Sequence, residues 1–285
     1  MGITYAELGC RNLSASLDFY RGMLGLLPAQ DPPGPTPPGV AWLDAGPAAL
    51  RLVERPDGDL AGWDADDLQR GIRHVGFKVG NVPAYAQRLA DAGIEFTLGP
   101  LKVTGDVWIA FFPDPDGANL EIIDSALTYT TVASPDLADQ ERLAAARRAP
   151  DAGPSFDHVA ITVADLDRAL AFYRDRLGYR LIGTLVQPTD PRGLRIHYLR
   201  AGAAVLEIFT FTAPTTPNPW TPDTPRVGLR TIGLGAEAYD TENGAREIAV
   251  RLRDAGATPV PGYDDLLTDP DGVLLCPWWD RPVAS

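Results

Sequence analysis

Apolar and polar residues alternate from Phe156 to Val163 (FDHVAITV), with Val159, Ile161 and Val163 on one face. That period of two predicts a half-buried strand. The period then changes: Leu166, Ala169, Leu170 and Tyr173 recur at helical spacing, and Gly178 stands where a left-handed C-cap is needed. The start of the chain repeats this pattern. Phe19-Tyr20 matches Phe172-Tyr173, and Leu24-Gly25 matches Leu177-Gly178, all at one offset of 153 residues. A second pattern also occurs twice. RHVGFKVGNVPAYAQRLADAG at 73–93 returns at 230–256 with a six-residue insertion, and DPDG at 114–117 returns at 269–272. Each DPDG lies between two apolar runs, which is a hairpin signal.

Each unit reads as strand, helix and three strands, over 3–55, 72–125, 156–212 and 229–280. The expected fold is therefore α+β, with four βαβββ units in two tandem domains, 1–127 and 155–285. Residues 128–154 form the linker, where Ser134 as N-cap and Pro135 at the first helical position predict a helix. Pro- and Gly-rich stretches at 31–39 and 212–226 are loops. They read as disordered linkers or as lids, and Trp220 offers the second one a packing contact.

Charge and composition narrow the partners. A net charge of −13 and a pI near 4.6 repel polyanions, so neither nucleic acid nor an anionic membrane is expected as a partner. The opening MGITYAELGC lacks the basic and apolar regions of a leader, and no apolar run approaches a membrane span, so a cytoplasmic location is expected. Two cysteines, Cys10 and Cys276, make neither a disulfide framework nor a zinc knuckle, and both read as inert.

The repeat is carried best by DHVAITVADLDRALAFYRDRLGY in the third unit and by RHVGF and DPDGANLEI in the second. It resembles the vicinal oxygen chelate superfamily, which includes glyoxalase I, methylmalonyl-CoA epimerase, fosfomycin- and bleomycin-resistance proteins and extradiol dioxygenases. The resemblance covers nearly the whole chain, and its motifs specify the fold better than the reaction. It implies that paired units curve their sheets around a metal, each unit offering one ligand from its first strand and one from its last. The first-strand positions are Tyr5, His74, His158 and Thr231, and the last-strand positions are Arg51, Glu121, Glu207 and Cys276. His74 to Glu121 spans 47 residues and His158 to Glu207 spans 49, as one repeated framework would give.

Pairing unit one with two and three with four would leave two half-sites, one with the Arg51 cation facing a metal. Pairing one with four and two with three collects His74, Glu121, His158 and Glu207, and leaves Tyr5, Arg51, Thr231 and Cys276 in a metal-free cavity. The second pairing is the one expected. A lone strand histidine is more often a core or surface residue than a ligand. Here, two of the three histidines occupy repeat-equivalent positions, and both glutamates sit in apolar strands (NLEII, VLEIF) where an unpaired charge is costly. Two imidazoles and two carboxylates suit one divalent ion, Ni, Co, Zn, Mn or Fe(II), with two positions open for substrate or water.

The resemblance then implies a metal-dependent isomerase, epimerase or lyase working next to a carbonyl of a small oxygenated substrate through a metal-stabilised enediolate. Glu121 and Glu207 would exchange the proton on opposite faces of a carbon. His197, in LRIHYLR, is a candidate proton carrier in the same cavity or a structural histidine, and Trp108, Phe111 and Phe112 are an apolar wall or core. The competing readings are an Fe(II) ring-cleaving dioxygenase, which would need only two histidines and one carboxylate, and a metal-free small-molecule binding protein. The cavity around Tyr5, Trp42 and Arg51 would suit the latter, or is a remnant of duplication. Four units supply both cavities in one chain, so a monomer is feasible, and the oligomeric state, a homodimer included, stays open.

Overall fold

The repeated periods become repeated elements in a computed structural model of the chain, which describes residues 1–32, 34–103, 105–235, 242–263 and 266–277. Part of the fourth unit, 236–241 and 278–280, lies outside the described residues. Unit one contributes β1 (Gly2–Cys10), α1 (Leu13–Leu17), β2 (Leu27–Pro28), β3 (Val40–Asp44) and β4 (Ala49–Glu54). Unit two contributes β5 (Gly71–Lys78), α2 (Val82–Asp91), β6 (Leu98–Lys102), β7 (Trp108–Pro113) and β8 (Asn119–Ile123). The linker holds β9 (Thr131–Val132) and α3 (Pro135–Arg147). Unit three is β10 (Ser155–Thr162), α4 (Leu166–Leu170), β11 (Arg180–Val186), β12 (Arg195–Ala201) and β13 (Ala204–Thr210). Unit four is β14 (Gly228–Gly235), α5 (Glu242–Ala255), β15 (Thr258–Pro259), β16 (Leu267–Thr268) and β17 (Leu274–Pro277).

Capping explains where the helices start. The side chains of Asn12, Asn81 and Asp165 each accept a hydrogen bond from a first-turn backbone N–H of α1, α2 and α4. Ser134 is the N-cap of α3, but its hydroxyl donates to the Leu181 carbonyl, tying the linker to β11. Both α1 and α4 widen into a π-helical turn at the repeated Phe-Tyr pair, where Leu24 N–H reaches Phe19 O and Leu177 N–H reaches Phe172 O. The wide turn aims each tyrosine at the next unit's DPDG turn. Tyr20 donates to Asp114 at 2.8 Å and Tyr173 to Asp269 at 2.9 Å. Each of those carboxylates also accepts two backbone N–H groups of its own turn, which closes on a glycine with φ +91° or +82°. The motif that marks the repeat is thus a clasp between consecutive units.

The sheets cross that grouping. One has the order β15-β16-β17-β14-β1-β4-β3-β2 and joins units four and one. The other, β6-β7-β8-β5-β10-β13-β12-β11-β9, joins units two and three and adds the linker strand at its edge. Within a unit the first strand runs parallel to the last, and between paired units the first strands run antiparallel. The pairing of one with four and two with three is therefore realised. Among the described residues the main apolar core runs behind both sheets and includes Tyr20, Phe77, Phe112, Phe156, Phe172 and Leu206, with smaller clusters beside it. Among the described residues no helix is long and apolar enough to cross a membrane.

Candidate metal centre

Strand register alone brings the four predicted donors together. Glu121 lies beside Gly76, and Gly76 lies beside His158. In the neighbouring row, His74 lies beside Ala160 and Ala160 beside Glu207. Each row places a His and a Glu on either side of a small residue, so the centre of the sheet is left open between them. The glycine is required. A Cβ on Gly76 would stand 2.0 Å from His158 Cε1, so the imidazole lies flat on bare backbone.

His74 Nε2 and His158 Nε2 are 3.0 Å apart, and a Glu121 carboxylate oxygen lies 3.1 and 3.0 Å from them. A Glu207 oxygen is slightly farther, at 3.5 and 3.6 Å. One donor atom from each of the four residues fits within 4.8 Å of all the others. Donors about 2.1 Å from one ion and at right angles lie about 3.0 Å apart, so these spacings fit the edges of a single coordination shell. The four side chains are almost wholly buried, between 2% and 5% exposed. Two carboxylates with two imidazoles carry the charge that neutralises one divalent cation. The cluster can chelate such an ion.

The electrostatics show what the donors do among themselves. Burial alone would raise the Glu121 carboxyl, but hydrogen bonds from His158 and His74 bring it down to about 2. Burial would likewise lower the His158 imidazolium, yet Glu207, Asp157 and Glu121 outweigh it and hold it well above its ordinary value. His74 is raised too, with burial opposing and Glu121 and Glu207 prevailing. Without a cation both imidazoles hold a proton more tightly than a free histidine does, and an incoming ion competes with it.

Sequence reasoning missed two supporting residues. Asp157 Oδ2 lies 3.0 Å from His158 Nδ1 and fixes the tautomer that leaves Nε2 free to ligate. Burial opposes the Asp157 charge, but Lys78 and His158 keep its carboxyl well below the usual range. Tyr198 stands beside Glu207 in the sheet, and burial followed by the Glu207 and Glu121 charges pushes its phenol far up, so it stays protonated. Its signal was present: it precedes Leu199 on β12 with the parity that faces Glu207, its register partner.

His197 takes the opposite parity, and this corrects its reading as a proton carrier. Its nitrogens meet Thr184 Oγ1 at 3.0 Å and Thr210 Oγ1 at 3.1 Å, on the face of β12 turned away from Ile196 and Tyr198. Burial, then Arg195, lowers it to about 4, so it is a neutral structural histidine. Phe111 and Phe209 flank His74 with ring centroids at 5.1 and 5.7 Å and line a cavity of about 90 Å³ that includes Glu121 and Glu207. Phe112 points into the core instead, and Trp108 packs on the core's edge.

The equivalent centre in the other sheet is filled. Tyr5 lies on Gly233 as His158 lies on Gly76, with 2.0 Å between its ring and a built Cβ. It also meets Trp42 edge-on at 5.0 Å. Glu7 replaces the small residue and is clamped between Arg51 and Arg230. Protein cations occupy the role a metal would have. Cys10 is buried with its thiol raised to about 11, mainly by burial, and it and Cys276 form no disulfide.

A layered α+β chain of paired βαβββ units with a buried His2Glu2 cluster defines a class. Residues 2–122 and 155–276 match the model of the glyoxalase/bleomycin resistance protein/dioxygenase superfamily, and the chain belongs to that family. A lactoylglutathione lyase of Arabidopsis thaliana is 29% identical over 181 residues, 62% of this chain and 54% of that protein. The chain thus matches about half the length of this curated relative. A second Arabidopsis thaliana protein, described as a glyoxylase I, is 25% identical over 121 residues, covering 42% of this chain and 68% of that one. The crystal structure of glyoxalase I from Zea mays shares the fold with a TM-score of 0.61 at 22% identity, over 96% of this chain and 90% of that chain.

Proposed function

We propose that the protein is a divalent-metal-dependent isomerase, epimerase or lyase that moves a proton on a carbon next to a carbonyl of a small oxygenated substrate. The observation that carries this reading is the pair of buried carboxylates facing each other across two imidazoles. His74, Glu121, His158 and Glu207 would hold the ion, Ni, Co, Zn, Mn or Fe(II). When bound, it supplies Lewis-acid polarisation of a carbonyl oxygen and acidifies the neighbouring C–H.

The two glutamates are not equivalent. Glu121 sits within 3.1 Å of both imidazole nitrogens, whereas Glu207 is 3.5 and 3.6 Å from them and has the Tyr198 phenol behind it. Glu207 is therefore the carboxylate freer to swing, accept the substrate proton and return it, with Tyr198 positioning it. Glu121 serves the opposite face. Phe111 and Phe209 give the 90 Å³ cavity an apolar wall beside the two carboxylates.

The first test is metal content, measured on the purified chain and on His74→Ala and His158→Ala. The proposal expects about one ion per chain, lost in either variant because the donors come from both units. No metal in any preparation, even after reconstitution, would sink the reading and leave a binding protein. Proton–deuterium exchange into candidate ketones under anaerobic conditions then separates this chemistry from ring cleavage, which would instead consume oxygen.

A further inference from the structure

The trough that holds the donors does not end at them. A second compartment of about 360 Å³ lies farther along the same face of β10, β12 and β13, covered by α3. Leu127 and Tyr198 line both compartments, and His158 forms the end wall of the larger one. On β12 the lining steps from Ile196 and Tyr198 beside the donors to Tyr198 and Arg200 in the larger space.

The chemistry of this space differs from that of the whole molecule. The chain carries a net charge of −13, yet Lys78, Arg148 and Arg200 face the compartment against only two carboxylates, Asp157 and Glu141. Those two are already engaged. Asp157 holds His158 and lies 3.5 Å from Lys78 Nζ, and Glu141 accepts from Arg200 at 3.0 Å and from the Tyr129 hydroxyl at 2.7 Å. Arg148 has no carboxylate partner among the described residues. Its guanidinium donates to the Ser155 hydroxyl and to the carbonyls of Lys78 and Gly153. The direct hydrogen-bond acceptors of this cation at the pocket wall are all neutral, and Asp157 acts on it only through its charge, without an ion-pair contact.

Resting on the metal reading above, we propose that this compartment binds the carboxylate or phosphate tail of the substrate, whose carbonyl end reaches the His74–Glu207 cluster past Tyr198. A donor set that neutralises its own cation leaves the tail's charge to be met elsewhere, and Arg148 meets it. The substrate class is then a small oxygenated carbonyl compound carrying an anionic group several bonds from the reacting carbon.

The test uses the whole chain, with and without chelator treatment, titrated calorimetrically with inorganic phosphate and with glutarate. Binding of one of these anions is expected to survive metal removal. It is expected to weaken at least tenfold in Arg148→Ala and in Ala144→Glu (about 1.4 kcal/mol per tenfold). Because Arg148 also ties two backbone carbonyls, the second variant carries the test if the first folds poorly. Ala144 is an exposed α3 residue at the pocket, and glutamate is a good helix former. Preference for phosphate names a phosphorylated substrate, and preference for glutarate a carboxylate. Xylulose 5-phosphate and xylulose then test the link, with the charged compound expected to bind the metal-loaded protein at least tenfold tighter if phosphate is preferred. Anion binding that disappears with the metal, or is indifferent to both variants, would overturn the proposal. Anion binding intact in a protein that takes up no metal supports the anion site and overturns only the metal reading.

Discussion

At the scale of single residues, the centre depends on what is small as much as on what ligates. Gly76 leaves the space that the His158 ring fills, and any Cβ there collides with the ring. Gly76→Ala is expected to displace His158 and cut metal affinity by about tenfold or more, comparable to loss of a supporting shell. Equilibrium metal competition checks this, and unchanged affinity would show that the ring has room to tilt. Asp157→Asn is expected to lower affinity by roughly 10–100-fold while leaving the fold intact, because the amide no longer fixes the ligating tautomer. Both candidate ligands were legible from the repeat, since His74 and His158 stand at equivalent positions of a twice-written motif. Gly76 carried a signal too: a glycine inside a strand marks a close approach, and here it follows the ligand position in RHVGF. What approaches it is decided by β5 pairing with β10, across 82 residues of chain.

At the scale of elements, the Phe-Tyr and DPDG motifs gain a physical role. Tyr20→Phe removes one of the three donors to the buried Asp114 and is expected to cost about 1–3 kcal/mol, with the same result for Tyr173→Phe at Asp269. Tyr179 provides the control, since its buried hydroxyl has no partner among the described residues. Tyr179→Phe should be neutral or stabilising. Denaturant midpoints with unchanged slopes decide the matter, and equal costs at positions 20 and 179 would refute the clasp. The DPDG turn was readable as a hairpin from its sequence. Its tyrosine partner was not, because the bond joins residues 94 positions apart. Of the two readings of His197, the proton carrier gives way to the structural histidine for a related reason. A histidine on a strand faces one side or the other according to register, and β12 turns it away from the donors.

At the scale of the whole molecule, the donors come from two units, so metal binding and folding are linked. At an ion concentration near 100 times the dissociation constant, the loaded protein gains about 2.7 kcal/mol, which corresponds to a melting temperature roughly 5–10 °C above that of chelator-treated protein. The increment should also grow with pH. His74 and His158 have raised pKa values in the metal-free fold. Their contribution to its stability is complete below the unfolded-state value of about 6.5 and is lost as pH rises through the folded one. The ion displaces those protons, so the metal-loaded protein gains affinity over the same interval. Melting curves with and without chelator at several pH values measure both trends. An increment that shrinks as pH rises would contradict the assignment of the histidines as ligands.

The chain by itself determined the unit, its four copies and the uneven distribution of donors among them. Those features are periodic and local: strand and helix periods, turn residues and equivalent positions can be counted along the sequence. Only the tertiary structure decided the rest. Sheet pairing of units two and three concentrates four donors in one trough, and pairing of one and four leaves Arg51 and Arg230 clamping Glu7. The linker helix lies over the far end of that trough, where Arg148 and Arg200 line one cavity. The alternation of faces can be read along a strand, but which distant strands lie side by side is settled only when they share backbone hydrogen bonds.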